Sequence, residues 1–509
     1  MADEHGKSAE ADTDTSAPNA QTAEGAQQQA LAHGDQQGAR DAAQLVQPTA
    51  DDPDPHGIYI DEVQGHNRRY RKLLNFTHSA TRAAGVMLVA AIVALIIANT
   101  GLYEGFYDFW HHNYVNVEVG PVAGGMSFAH IINDILMALF FLLVGLEIKY
   151  EMTVGELTNI RQAALPIMGA VGGVAAPIII YLLLNSGDAA TRSGWGVPTA
   201  TDIAFALGIL ALLGSRVPSG LRVFLSTLAV ADDIIAILVI AIFYGNAPSL
   251  GWLMAAAVVY VGLIIMNRAH VFSLVPYMLV GCVLWWCVFM SGVHSTIAGV
   301  LLAFVIPSGS RVNMKTFLEW SNDRVHLANV FHDENTPIVA QKKYLKTVNS
   351  LSNVSRDVLP PVTRLEHGLH PWVYFAVLPL FALTNADVAL PGGDLLSVLT
   401  SDVFTGVFFG LVVGKPLGIM ALSFLCVKLR IAKLPDQVNW MHMLGASILG
   451  GVGFTMAIFV ANLAYADAAL IAEAKLAILL ASLVAGVIGF LFLLLQATKT
   501  ARRERQHHD

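Results

Sequence analysis

Two adjacent carboxylates, Asp232 and Asp233, stand inside the otherwise apolar run VFLSTLAVADDIIAILVIAIFY. An ionisable group placed in hydrocarbon costs at least ~2.5–3.5 kcal/mol, so such a group marks a pathway by default. Neighbouring residues of a helix point about 100° apart, so the two acids cannot face one wall. One can line a cavity while the other turns into the protein toward a cation. Crowded carboxylates in low dielectric have raised and split pKa values, which lets them hold protons near neutral pH. They also suit a hard cation, which prefers oxygen ligands. The chemistry expected of the pair is therefore exchange of protons for a small cation. The structural alternative, a water-filled kink, is an expensive use of two acids.

Further polar groups lie in apolar surroundings. Asp202 sits in GWGVPTATDIAFALG, where Pro198, Thr199, Thr201 and two glycines interrupt the run. Gly450-Gly451-Val452-Gly453-Phe454-Thr455 interrupts a second run near the other end of the chain. Paired interruptions of this kind are the sign of inverted repeats with discontinuous helices. Broken helices that cross leave two positive N-terminal ends and two negative C-terminal ends near one another. A buried carboxylate suits the first and a buried ammonium the second, which gives Asp202 and Lys415 (in GLVVGKPLGIM) their expected places. For Lys415 the alternative is snorkelling to an interface, and its mid-run position opposes that. Asp134 in HIINDILMALFF serves helix packing or function equally well, and His294 in SGVHSTIAG is expected to hydrogen-bond a neighbour. Glu147 and Glu151 (GLEIKYE) with Glu366, His367 and His370 (RLEHGLH) are placed to form a charged funnel mouth. Histidine titrates in the physiological range, so this group is a candidate pH sensor, with ordinary interfacial residues as the alternative.

The elements that must position these groups follow from composition. Of 509 residues 55% are hydrophobic and 13% charged, against about 25% charged in soluble domains. That points to a polytopic membrane protein. Apolar stretches able to cross about 30 Å of hydrocarbon lie near 82–99, 129–147, 163–184, 197–213, 221–244, 251–266, 272–290, 293–306, 370–386, 402–426, 440–464 and 473–496. Lys and Arg alternate between the connecting loops: five cluster over 68–82 at the entry to the first span, none lie in 100–128, and 307–369 and 427–439 are rich in them. By the positive-inside rule this predicts twelve spans with both termini cytoplasmic. The interrupted spans are then the fourth and eleventh, and spans 3–5 pair with 10–12.

Residues 1–62 carry 13 acids and two bases, a net charge of −11, leaving +3 for the rest of the chain. Residues 1–65 are read as a disordered acidic tail, 66–498 as the twelve-span domain, and 499–509 as a basic cytoplasmic tail. Tyr114–Val119 alternates with period two before Gly120-Pro121, which predicts an extracytoplasmic β-hairpin over 114–128. In the long cytoplasmic loop 307–369, Leu345, Val348, Leu351, Val354 and Val358 predict one amphipathic helix before Pro360-Pro361, on the membrane surface or packed on the bundle. Cys282, Cys287 and Cys426 form no CxxC or paired framework, which excludes a disulfide scaffold and opposes a zinc site. No cofactor and no nucleic-acid partner is expected.

FFLLVGLEIKYE, PTATDIAFALGILALLGSRVP, LAVADDIIAI, SGVHSTIAGV, RLEHGLHPWV, LPLFALTNA, GKPLGI and GVGFTMAIF, in this order over roughly 75–495, resemble the NhaA family of sodium/proton antiporters. The resemblance implies that Asp233 is the principal cation- and proton-binding aspartate, with Asp232 its neighbour paired to Lys415. It implies that Thr201 and Asp202 stand at the unwound crossing, and that Glu147, Glu151, Glu366, His367 and His370 belong to a pH-sensing funnel. It implies electrogenic export of Na⁺ or Li⁺ in exchange for protons across the cell membrane, and a homodimer made through the hairpin. Tyr150, Thr363 and Gly368 depart from the family pattern, where Arg, Lys and a bulkier apolar residue stand, which leaves the pH profile open.

Two other functions fit these residues less well. An intramembrane aspartyl protease needs GxGD and YD signatures, whereas Asp202 follows Thr-Ala-Thr and Asp232 follows Val-Ala. Sodium-coupled symport of an organic anion needs a free cationic partner in mid-membrane, and Lys415, the only mid-span cation, is expected to be neutralised by Asp232.

Overall fold

The computed structural model describes residues 79–508 apart from 120–121, 159, 246–247, 311 and 390–394. The acidic 1–65 segment lies outside the described residues. In chain order the main elements are α1 Ala80–Ala98, α2 Tyr103–His111, β1 Asn113–Val119, β2 Val122–Ser127, α3 Phe128–Thr153 and α4 Ile160–Leu184. Then come α5 Ala189–Thr199, α6 Ile203–Leu212, α7 Ser219–Phe243, α8 Leu250–Arg268, α9 Leu274–Met290 and α10 Thr296–Val305. The remainder is α11 Met314–Phe331, α12 Lys342–Val358, α13 over 361–385, α14 Asp402–Lys428, α15 Trp440–Leu449, α16 Phe454–Ala464 and α17 Ala468–His508. β1 and β2 pair antiparallel, with Val119 opposite Val122 and Glu118 opposite Ala123.

The protein is a polytopic, predominantly helical membrane protein. Among the described residues seven helices are long and apolar enough to cross a membrane, or nine when each bent helix pair counts as one. The bent pairs are α5–α6, at 42°, and α15–α16, at 49°. α9 and α10 are apolar but shorter.

Proline shapes two of the helices that reach the site. A proline inside a helix lacks an N–H, and its ring clashes with the carbonyl four residues earlier. In α14 a π-helical turn, Gly410–Gly414, comes just before Lys415-Pro416. In α13 the π-helical turn Val373–Val377 comes just before Leu378-Pro379. A widened turn absorbs the clash and rotates the side chains that follow, and such turns recur at functional sites.

α4 and α14 pack backbone to backbone. A Cβ on Gly172 would collide with the carbonyl of Gly418, and one on Gly418 with that of Gly172, so only glycine allows this approach. The main buried cluster joins α1, α3, α4, α7, α13, α14, α16 and α17, with Met87, Phe141, Tyr181, Phe381 and Phe459 inside it.

Two expectations are corrected, and two helices extend beyond the apolar runs they carry. The 307–369 segment holds two packed helices, α11 and α12, where one was expected. The helix that carries the 370–386 run, α13, begins earlier, at Pro361, which opens it as its first residue. The fourth run begins at Ala189 rather than 197. The final helix, which carries the 473–496 run, continues to His508.

Candidate ion-binding site

The two helix breaks meet one another. Asp202 N donates to Val452 O at 2.8 Å, and Thr201 Oγ1 donates to Gly450 O at 3.0 Å. Asp202 lies just before α6 and accepts from Phe205 N at 3.0 Å, an ordinary N-cap. Its other oxygen accepts from Thr455 N at 3.1 Å and Thr455 Oγ1 at 2.5 Å, at the start of α16. One buried carboxylate thus answers the orphan N–H groups and positive ends of both α6 and α16.

Lys415 performs the opposite task less directly than expected. Its Nζ donates to Asp232 Oδ2 at 2.6 Å and to Thr201 Oγ1. Thr201 in turn donates to Gly450 O, at the C-terminal end of α15. The ammonium therefore reaches that negative helix end through a threonine hydroxyl. Lys415 and Asp232 form a buried ion pair in which each charge is satisfied by the other.

Asp233 is different. It is 1% exposed, and neither of its carboxylate oxygens has a hydrogen-bond partner among the described residues. Asp232 Oδ1 is likewise unpartnered. A buried carboxylate without partners is costly unless it binds a proton or a cation. Asp233 lines a cavity with Asp202, Thr455, Glu147, Tyr374, Val144 and other apolar groups, and the free volume is about 10 Å³. That is room for about one water molecule.

Glu147 on α3 lines this cavity and stands within electrostatic reach of Glu366 and Glu151. Glu151 itself lines a separate open groove of about 750 Å³ with Tyr150, Thr158, Arg222 and Ser226. On α13 the His370 ring packs on Tyr374 with centroids 4.3 Å apart, while His367 and Gly368 face outward. Among the funnel candidates, then, Glu147, Glu151 and Glu366 are grouped, His370 touches a cavity residue, and His367 is on the exposed face. Asp134 and His294 lie apart from the cavity: Ser295 Oγ donates to Asp134 Oδ1 at 3.3 Å, and His294 Nε2 bonds Tyr244 O at 2.5 Å.

Tyr374 and Thr455 line the cavity without having been singled out. Tyr374 was findable: Glu366, His370 and Tyr374 repeat every four residues, which puts them on one helical face. Thr455 follows the second glycine-rich break as Asp202 ends the first, but no spacing rule joins residues so far apart.

The family model described as Na⁺/H⁺ antiporter 1 matches residues 74–493. The chain is 41% identical over 444 residues to a protein named Na(+)/H(+) antiporter NhaA from Wolinella succinogenes, covering 87% of this chain and 97% of that one. It is 43% identical over 427 residues to the protein of the same name from Syntrophobacter fumaroxidans, covering 82% and 89%. A Helicobacter pylori protein of that name is 41% identical over 436 residues, covering 85% and 97%.

Proposed function

The chain belongs to the Na⁺/H⁺ antiporter 1 family, and from that premise we propose that it exports Na⁺, and Li⁺ with it, in exchange for a larger number of protons. The family makes it a transporter rather than an enzyme, and Na⁺ and H⁺ its substrates. The observation that carries the reading is the contrast between neighbouring acids. Asp232 is neutralised by Lys415 at 2.6 Å, and Asp233 is buried with both oxygens unpartnered among the described residues.

A lone carboxylate in a dry site holds either a proton or Na⁺. Protonation removes the charge that attracts the metal, and bound metal lowers the affinity for the proton, so the two compete. The closed cavity around Asp233 fits an occluded site, which opens to each side in turn as one helix bundle rocks against the other. Exchange of unequal charge requires a second proton-carrying group, and the Asp232–Lys415 pair adjoins Asp233. Thr201 and Asp202 hold the breaks together during that motion. Glu147, Glu151, Glu366, His367 and His370 make the cytoplasmic approach sensitive to pH.

In this reading twelve spans lie in the cell membrane with both termini cytoplasmic. They comprise α1, α3, α4, α5–α6, α7, α8, α9, α10, α13, α14, α15–α16 and α17. The 114–128 hairpin joins two copies into a dimer. Symport of an organic anion has less support, because the ammonium it would need is held by Asp232.

Proteoliposomes with an internal pH dye test the proposal. A Na⁺ gradient should drive proton movement in the unsubstituted protein, and Asp233→Asn should abolish it. Na⁺ added to the purified protein should also release protons. Continued exchange by Asp233→Asn, or Na⁺ binding without proton release, would overturn the assignment.

A further inference from the structure

A second polar cluster lies on the same helices as the ion cavity, toward their opposite ends. Asn462 Nδ2, on α16, donates to Asn385 Oδ1, on α13, at 2.8 Å. Asn385 Nδ2 donates to Asn133 Oδ1, on α3, at 2.9 Å and to Phe381 O at 3.0 Å. Asn133 Nδ2 closes the ring on Asn385 Oδ1 at 3.4 Å. Close by, Lys475 of α17 pairs with Asp387, just past α13, at 3.0 Å, with side chains 13% and 6% exposed.

The cavity is lined from α3 by Glu147, from α13 by Tyr374 and from α16 by Thr455. At 1.5 Å of rise per residue, Asn133, Asn385 and Asn462 lie about 21, 16 and 10 Å along those helices from the three lining residues. All three displacements run the same way, toward the extracytoplasmic end in the orientation proposed above. α16 and α17 belong to the set built on the helix breaks, whereas α3 and α13 do not. Both the Asn385–Asn462 contact and the Lys475–Asp387 pair therefore cross the seam along which the two bundles would rock.

We infer that the Asn133–Asn385–Asn462 cluster and the Lys475–Asp387 pair form an extracytoplasmic gate, closed in this structure and broken each time the ion site turns outward. The inference rests on the antiport reading above. Its chemistry suits a seam that must open and reclose. Amide and ion-pair contacts exchange for water with little net change, since each partner is rehydrated when the seam parts. An apolar seam would expose hydrocarbon to water on every cycle. Asn133 sits on the same side of the seam as Asn385 and orients it.

Disulfide trapping in the full-length protein, reconstituted in liposomes, tests the gate. Asn385→Cys with Asn462→Cys places a cross-link across the seam, and Asp387→Cys with Lys475→Cys places a second one. Asn133→Cys with Asn385→Cys places one on a single side. Mass spectrometry verifies each bond, and exchange is compared in the oxidised and reduced forms of the same variant. The cross-seam bonds should slow Na⁺-driven proton movement by at least about tenfold, as expected when a gating step is blocked, with recovery on reduction. The one-sided bond should leave the ratio near one. Equal rates in oxidised and reduced cross-seam variants would overturn the gate, as would an equal loss from the one-sided bond. Absence of exchange in the unsubstituted protein would instead overturn the antiport reading.

Discussion

The two helix breaks occupy similar places and are built from different materials. The first, between α5 and α6, carries side chains: Thr201 and Asp202 are 1% and 2% exposed and make bonds across to the other break. The second, between α15 and α16, is mostly glycine and offers its backbone: Gly450 O and Val452 O accept, and Thr455 N donates. Two opposed breaks present four helix ends, and a symmetric solution would need charged side chains on both. Here one break supplies the polar side chains that answer the ends of both, and the other is stripped down so that its backbone can come close. The division leaves Asp202 as the one carboxylate that answers the N-terminal ends of both α6 and α16.

The largest effect of that division is expected at the residue that serves both breaks. Asp202→Ala removes the acceptor for Phe205 N, Thr455 N and Thr455 Oγ1 together. Hydrogen bonds to charged groups contribute about 1.5–3 kcal/mol each, non-additively, so the expected loss of stability is about 3–5 kcal/mol. Asp202→Asn keeps an acceptor but loses the charge at two helix N-termini, for which about 1–2 kcal/mol is expected. Thermal unfolding in detergent gives the order. Equal losses for the two variants would mean that charge plays no part.

The glycine break gives the next test. A Cβ on Gly451 would stand 2.5 Å from Leu411 O and 3.1 Å from Ile448 O. Both are backbone atoms that cannot swing aside, so Gly451→Ala should cost about 1–3 kcal/mol by overpacking. A substitution tolerated without loss would show that the second break has slack, and that its glycines are not required by close approach to α14.

How far these roles are legible in the sequence depends on how local they are. Asp232 and Asp233 stand out because charge in an apolar run is visible within a few residues. The breaks stand out because Pro, Thr and Gly cluster there. That Asp202 would take the positive helix ends follows from dipole reasoning, but the double cap depends on the register between two segments about half a chain apart. The pairing of Lys415 with Asp232 came from family resemblance, since no spacing rule reaches from α7 to α14. The relay from Lys415 through Thr201 to Gly450 was not legible at all, for the same reason. α11 is not legible in the sequence because charged residues interrupt its apolar ones. Trp320 and Leu327 are half-buried, while Met314, Leu318 and Val325 remain exposed, so no single stripe marks the helix.

The smallest effect separates the two threonines, one in each break. Thr201→Val and Thr455→Val are the same isosteric change, each deleting a hydroxyl that is buried. Thr201 Oγ1 both accepts from Lys415 and donates to Gly450 O, so its loss strands a cation contact and a helix-end carbonyl. About 1–3 kcal/mol is expected for a buried group left unsatisfied. Thr455 Oγ1 only donates to Asp202 Oδ2, which keeps its bond from Thr455 N at 3.1 Å. For that variant the expected loss is about 1–1.5 kcal/mol, the lower end for a bond to a charged acceptor. Paired unfolding measurements on the two variants decide the matter. A larger loss from Thr455→Val would reverse the asymmetry and make the glycine-rich break the one whose side chain carries the junction.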